Sequence, residues 1–207
     1  VDPARVRVIY NALDPAGQTP KVSKPFGVSP VIVTVARLAP WKRIDLVIRA
    51  LQMVRREFPS ARLIVVGDGP ERSALEAQAA PLGDAVSFVG AQPPESVQSY
   101  LRAADVFVLF STYEGLPHTV LEAMQAGTPV IVSDAGGNVE VVTHGQNGWV
   151  VPKGDEAALA NTLIEVLRDP AEAARRVNAA IESLDRFSWP HLVDEYEAAL
   201  KNLEPQR

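Results

Sequence analysis

Apolar, largely β-branched runs alternate along the chain with segments of helical period, and this alternation predicts a parallel sheet covered by helices. The first run is residues 31–36 (VIVTVA). Ile44, Val47, Ile48, Leu51, Val54 and Phe58 follow at spacings of three and four, predicting a helix over about 43–57 that Pro59 stops. A second unit repeats the pattern with an apolar run at 63–67, a Gly-Asp-Gly-Pro turn, and a helix with Pro70 at its first position. The third unit runs from 86–90 into a helix over 95–103. In the fourth, the run 106–110 leads through a loop to a helix over 117–125 closed by Gly127. The fifth pairs 129–133 with a short helix near 139–142, and 149–151 reads as a sixth, edge strand. Beyond Pro152 only helical patterns occur, over about 155–168, 170–185 and 189–203, separated by Asp169-Pro170 and Trp189-Pro190. That tail is expected to be helical and to lie outside the sheet.

Right-handed crossovers between successive strands give an α/β fold, an open, doubly wound, Rossmann-like parallel sheet of six strands. Ligands bind such sheets where the strands end, so the candidate loops are 37–43, 67–70, 90–94, 111–117 and 134–138. The 207 residues, 47% apolar and 22% charged, suit one folded domain or two small ones and exclude disorder. Twenty Lys plus Arg against 25 Asp plus Glu leave a net charge of −5. No basic field therefore draws nucleic acid or anionic lipid, and any anion must be gripped locally. Without cysteine there is no disulfide framework, thiolate zinc site or thiol nucleophile. The runs 31–36 and 106–110 fall far short of the roughly 18 residues of a membrane span. The first residues also lack the sections of a signal peptide, so a cytoplasmic location without membrane contact in this segment is expected.

The loop after the first strand carries Arg37 and Lys42, with Pro40 and Trp41 stiffening the approach. No glycine occurs between Ala36 and Ile44, so the GxGxxG turn of a dinucleotide-binding sheet is absent; GxxxxGK[ST] is missing too. A guanidinium fork and an ammonium point charge at the mouth of a sheet suit a diphosphate, although two solvated surface cations fit the same residues. The loop and helix from Ser111 to Met124 hold two carboxylates, Glu114 and Glu122, eight positions apart. Val120, Leu121 and Met124 form the apolar stripe of that helix, which sets Glu122 on the accessible face beside His118 at i−4. Glu114 precedes the helix start, whose unsatisfied N–H groups favour an anion, while carboxylates accept hydrogen bonds from sugar hydroxyls. The combination fits a sugar carried on a diphosphate; a macrodipole contact and a solvated His/Glu pair are the plain alternative.

At this point the chain resembles a known family. The span from Glu114 to Glu122 matches the E-x7-E motif of family-4 retaining glycosyltransferases of the GT-B fold, the glycosyl transferases of group 1. Residues 35–42 (VARLAPWK) are similar to that family's diphosphate loop. The runs LIVVGDGP at 63–70, SFVG at 87–90 and LEAMQAGTPV at 121–130 resemble its second strand and turn, its base-contacting strand end and its motif helix. VIYNALD at 8–14 resembles the segment linking the two GT-B domains. The likeness covers about residues 8–200, with these motifs in the family's order. It implies that the chain is the C-terminal, donor-binding half of a two-domain enzyme: 1–30 as linker and lead-in, 31–187 as the Rossmann-like nucleotide-sugar domain, and 188–207 as a helix crossing back to an N-terminal acceptor domain. Arg37 and Lys42 would hold the donor diphosphate and stabilise the departing nucleotide's charge, with Glu114 on the sugar ring and Glu122 on the ribose. Backbone near Val89 would read the base. The N–H groups across Gly115, Leu116, Pro117, His118 and Thr119 would meet sugar and phosphates, except that Pro117 stands where a second glycine is frequent and supplies no donor, leaving the amides of His118 and Thr119. In the linker motif Ala12 replaces the usual glycine.

No metal and no further cofactor is expected: His118, His144 and His191 lack ligand spacing, and no DxD triplet occurs. Nor does GxSxG, which makes an α/β-hydrolase a poor fit. The stretch DAGGN at 134–138 reads as a strand-to-helix turn whose glycines also permit close backbone approach to a ligand, and Asp68 as a turn former. Trp189, Tyr196 and Leu200 have the spacing of a packing stripe. The leading expectation is the donor domain of a transferase using a UDP- or GDP-linked sugar, inactive alone without its acceptor half. A nucleotide-sugar epimerase and a non-catalytic nucleotide-binding module are the alternatives.

Overall fold

The computed structural model describes residues 6–14 and 30–201. Six parallel strands, β1 (Val31–Val35), β2 (Arg62–Val66), β3 (Val86–Gly90), β4 (Val106–Leu109), β5 (Val130–Ser133) and β6 (Trp149–Val151), lie in the order β3-β2-β1-β4-β5-β6. The order reverses between β1 and β4, so the connections leaving these two neighbours go to opposite faces and open a crevice above their C-terminal ends.

Both faces of the sheet are buried, which is why the central strands read as continuous apolar runs. Helix α1 (Ile44–Val54), α2 (Arg72–Ala79) and α6 (Glu156–Arg168) cover one face, where Ile32, Leu63, Val65, Val108 and Ile131 meet Ile48, Leu51, Leu75, Leu159 and Leu163. On the other face Val33, Val35, Ile64, Phe107 and Val132 meet α3 (Pro94–Ala103), α4 (His118–Gln125), α5 (Asn138–Val141) and α7 (Pro170–Glu182) through Leu101, Val120, Leu121, Met124, Val141 and Ala180. The alternation of Ile32 to one side and Val31 and Val33 to the other is the pleat of β1.

Several boundaries differ from the periodicity reading, each for a local reason. The helix after β2 starts at Arg72, leaving Pro70 in the preceding turn. That turn is held against the loop after β1: the Glu71 N–H donates to the Leu38 carbonyl (3.0 Å), the Leu38 N–H to the Asp68 carbonyl (2.9 Å), and the Asp68 carboxylate accepts from the Gly69 amide. Gly67 has φ 130°, and a Cβ there would lie 1.9 Å from the Ala36 carbonyl oxygen, so the close approach requires glycine. Asp68 is thus a turn former. Pro117 is the cap of α4 and not its first residue. After Glu182 the seventh helix tightens into a 3-10 turn, Ser183–Phe187, before α8 (Trp189–Lys201).

The helical tail is not set apart from the sheet. Asp155 and Asp169 cap α6 and α7 by accepting the Ala158 and Glu172 amides at 2.9 Å, and α6 buries Leu159, Ala160 and Leu163 against α1 and the sheet. Edge strand β6 is tied to α7 by Arg176, which stacks 3.9 Å from the Trp149 ring centroid and donates to the Gly148 carbonyl. Among the α-helices of the described residues α8 alone buries none of its residues; Trp189, Val193, Tyr196 and Leu200 are each half exposed or more. The stripe anticipated for packing is therefore formed but uncovered. Of the expected lead-in segment 1–30, residues 1–5 and 15–29 lie outside the described residues, as does 202–207 at the other end. Residues 6–14 dock on the α4 and α7 side: the Leu13 N–H donates to the Phe187 carbonyl (2.7 Å), Tyr10 packs edge-on to Phe187, and the Tyr10 hydroxyl donates to Glu140 (2.8 Å).

Since α6 completes the core, Leu163→Ala is expected to destabilise the fold by ~2–5 kcal/mol, as for other large-to-small core substitutions. Urea unfolding monitored by circular dichroism checks this; a loss near zero would mean that the tail folds independently of the sheet.

Candidate functional site

Two loops rise from the neighbouring strands at the point of reversal. After β1 the chain runs through Arg37 and a 3-10 turn, Pro40–Lys42, to Arg43, whose φ of 48° is left-handed and is held by an Arg43–Asp45 ion pair at 3.0 Å. After β4 it runs from Ser111 to Pro117. The two are stitched together: the Thr112 N–H donates to the Trp41 carbonyl (2.7 Å), and the Lys42 ammonium lies 2.5 Å from Glu114 Oε1. With side chains 17% and 9% exposed, this is a mostly buried ion pair, and its geometry depends on both loops being in place. The Ser111 hydroxyl donates to the same Oε1 atom.

Lys42 and Glu114, assigned by resemblance to separate parts of a donor, therefore meet each other. Arg37 differs. It is exposed, and among the described residues its guanidinium has no partner. It borders an open cleft of about 350 Å³ at the ends of β1, β2 and β3, lined also by Ala36, Gly67, Ala91, Gln92 and Thr119. Val89 sits at a register shift: Val65 pairs with Phe88 and Val66 with Gly90, so Val89 has no opposite number on β2. Its carbonyl accepts from the Gln92 side-chain amide at 2.7 Å.

At the start of α4 the amides divide. Pro117 has none, and the His118 N–H donates to the Leu116 carbonyl at 3.0 Å. Among the described residues the N–H groups of Gly115, Leu116 and Thr119 have no acceptor, so these remain for an anion or a sugar oxygen. Glu122 is half-buried, not fully accessible as its place on the helix predicted. Burial pushes its carboxyl above the ordinary 4.5, while the charge of His118 four residues earlier pulls it down.

The Gly136-Gly137 turn does approach a backbone closely, but the backbone is the protein's own. The Gly137 N–H donates to the Glu114 carbonyl (3.1 Å), and a Cβ on Gly137 would lie 1.8 Å from the Gly115 carbonyl oxygen. The loop after β5 thus braces the Glu114 loop from behind. Behind it, Ser111, Ser133 and Asn138 form a buried hydrogen-bonded group. Sequence reasoning missed them; the available signal was that Ser111 and Ser133 each terminate an apolar run at a strand end. Among the described residues no group of three or more His, Cys, Asp or Glu is placed to hold a metal ion, and no helix is long and apolar enough to cross a membrane.

The sequence matches the family model of the glycosyl transferases group 1 over residues 18–183, and the chain belongs to that family. It is 36% identical over 173 residues to the GDP-mannose-dependent alpha-(1-6)-phosphatidylinositol monomannoside mannosyltransferase of Mycolicibacterium smegmatis, covering 79% of this chain and 45% of that protein. It is 35% identical over 189 residues to the glycogen synthase of Mycobacterium tuberculosis, covering 90% and 46% respectively. The structure is similar to that of Anabaena Alr3699/HepE in complex with UDP-glucose, with a TM-score of 0.85 at 28% identity over 95% of this chain and 57% of that one. The chain spans about half the length of the curated relatives it matches. Its sheet and helical tail are the C-terminal half of a GT-B fold.

Two predictions arise from this geometry. Because the Glu122 carboxyl is raised in the folded state, the native protein binds more protons than the unfolded chain between 4.5 and that raised value, so stability falls as pH rises through the window and stays lower above it. Glu122→Gln is expected to raise the urea midpoint at pH 7 and to weaken its fall as pH rises above 4.5; a midpoint unchanged at pH 7 would contradict this. Gly137→Ala is expected to lower stability by ~1–3 kcal/mol through overpacking against Gly115, visible as a reduced Tm; a Tm equal to the parent's would show that the brace yields.

Proposed function

We propose that this chain is the donor-binding half of a retaining, family-4-type glycosyltransferase that takes a sugar from a UDP- or GDP-linked donor, without a metal ion, to an acceptor in glycan, polysaccharide or glycolipid synthesis. The observation that carries the reading is the arrangement over the β1/β4 crevice: an unpartnered guanidinium at Arg37 facing a cleft, beside a Lys42–Glu114 pair and free amides at the entrance to α4. Arg37 and Lys42 bind the diphosphate. When the bond between the sugar's anomeric carbon and the β-phosphate oxygen breaks, these cations meet the charge that appears on the leaving nucleotide in a partly desolvated setting. The free Glu114 oxygen and the amides of Gly115 and Leu116 hold the sugar, Thr119 contributes an amide to the phosphates, and Glu122 accepts from the ribose hydroxyls. The base lies by the bulged end of β3 at Val89. Residues 31–187 form the donor domain, and 188–201 present the uncovered face of α8 to an N-terminal acceptor domain. Two relatives, one GDP-mannose-dependent and one solved in complex with UDP-glucose, support a nucleotide-sugar donor.

Isothermal titration of this chain with UDP, GDP and ADP tests the reading. One nucleotide is expected to bind, and Arg37→Ala and Glu122→Ala each to weaken it by ~1–3 kcal/mol, the loss of a charged hydrogen bond. Binding that both substitutions leave unchanged would remove the site from this crevice.

A further inference from the structure

Ser111, Ser133 and Asn138 are each fully buried, and they lie behind Glu114, not in the cleft. Their bonds run in one direction. The Asn138 amide Nδ2 donates to the Ser133 carbonyl (3.1 Å) and to Ser133 Oγ (3.2 Å). The Ser133 hydroxyl, with its oxygen engaged by that amide, commits its single proton to the Ser111 carbonyl at 2.5 Å. The Ser111 hydroxyl commits its own to Glu114 Oε1, where the Lys42 ammonium also arrives. Both donors converge on one carboxylate oxygen, and among the described residues Oε2 has no partner.

We propose that Ser111, Ser133 and Asn138 are positioning residues that lock the Glu114 carboxylate, so that Oε1 orients the Lys42 ammonium and Oε2 alone is presented to a donor sugar hydroxyl. This rests on the donor-site reading above. A carboxylate held only by lysine can rotate about its last bond and take other orientations of its plane; a second donor fixed from the core side removes that freedom. Mutual satisfaction of polar groups does not by itself account for the column, since Asn138 Oδ1 is buried with no partner among the described residues. Three small apolar side chains would leave no such orphan. The column also reaches the β5–α5 turn, the same turn that braces the Glu114 backbone through Gly137. Main chain and side chain of Glu114 are therefore held from one direction.

The test compares Ser111→Ala, Ser111→Thr and Ser133→Ala in this chain, titrated with UDP and UDP-glucose and with GDP and GDP-mannose, and solves the crystal structures of the Ser111 variants. In Ser111→Ala and Ser133→Ala the nucleotide sugar is expected to bind at least tenfold more weakly while the nucleoside diphosphate stays within twofold. Ser111→Thr, which keeps the hydroxyl, is expected to restore the sugar's contribution. The structure of Ser111→Ala is expected to show the Glu114 carboxyl still on Lys42 but rotated about its last bond, with its second oxygen moved from its present place, and that of Ser111→Thr to retain the present orientation. Equal losses for nucleotide and nucleotide sugar would mean a purely structural role and overturn the proposal, as would a Glu114 carboxyl that keeps its present orientation in both alanine and threonine variants. Unchanged nucleotide binding in Arg37→Ala would instead overturn the donor-site reading, and the crystal structures would still decide the column because they need no ligand.

Discussion

The burial of a parallel sheet on both faces is the constraint from which the site follows. Parallel strands need a crossover each time, and when helices must cover two faces the crossovers leave the sheet in two directions. The direction changes between β1 and β4, whose succeeding helices α1 and α4 lie on opposite faces. The helices that follow the two loops diverge above the C-terminal ends of these central strands, while the loops themselves are joined by Thr112 to Trp41 and Lys42 to Glu114. Arg37, Lys42, Glu114 and the start of α4 lie beside that reversal, and Val89 lies two strands away at the end of β3.

Charge then has to be managed in a place the core has partly dried. Lys42 and Glu114 neutralise one another across the gap between the loops, so neither is left buried and alone. Arg37, with no such partner among the described residues, remains in the cleft where water or an anion can reach it. Glu122 stands between these cases, half-buried with only His118 to oppose its desolvation. Burial at such a position disfavours the charged form of the carboxylate. Asn138 likewise has a buried side-chain oxygen with no partner among the described residues.

Close backbone packing supplies the rigidity that these charges need. The turn after β2 lies against the loop after β1, and the turn after β5 against the loop after β4, each through glycine where a Cβ would collide with a carbonyl oxygen. Neighbouring strands thus brace one another's loops, and the turn after β2 does so while also lining the cleft through Gly67.

The six strands and the two-faced sheet were legible from sequence because a strand buried on both sides is written as an unbroken apolar run and its crossover helix as a 3.6-residue period. Local chemistry was legible too: Glu114 and Glu122 flank a helix start, Arg37 and Lys42 follow the first strand, and Asp68 shapes a glycine turn. Boundaries at Pro70 and Pro117 were misplaced because hydrogen bonds to Leu38 and Leu116 compete with the helix, and such partners lie in another loop or in turn geometry that periodicity does not encode. The inclusion of α6 in the core was hidden likewise, since an amphipathic stripe reports that a face is buried but not against what. The residues proposed to meet a donor were thus picked out by local residue type and spacing. That Lys42 joins Glu114, that Glu122 is half-buried, and that Ser111, Ser133 and Asn138 stand in line behind them was decided only when strands 20 to 70 residues apart came side by side, because hydrogen-bond geometry and desolvation are properties of neighbours in space.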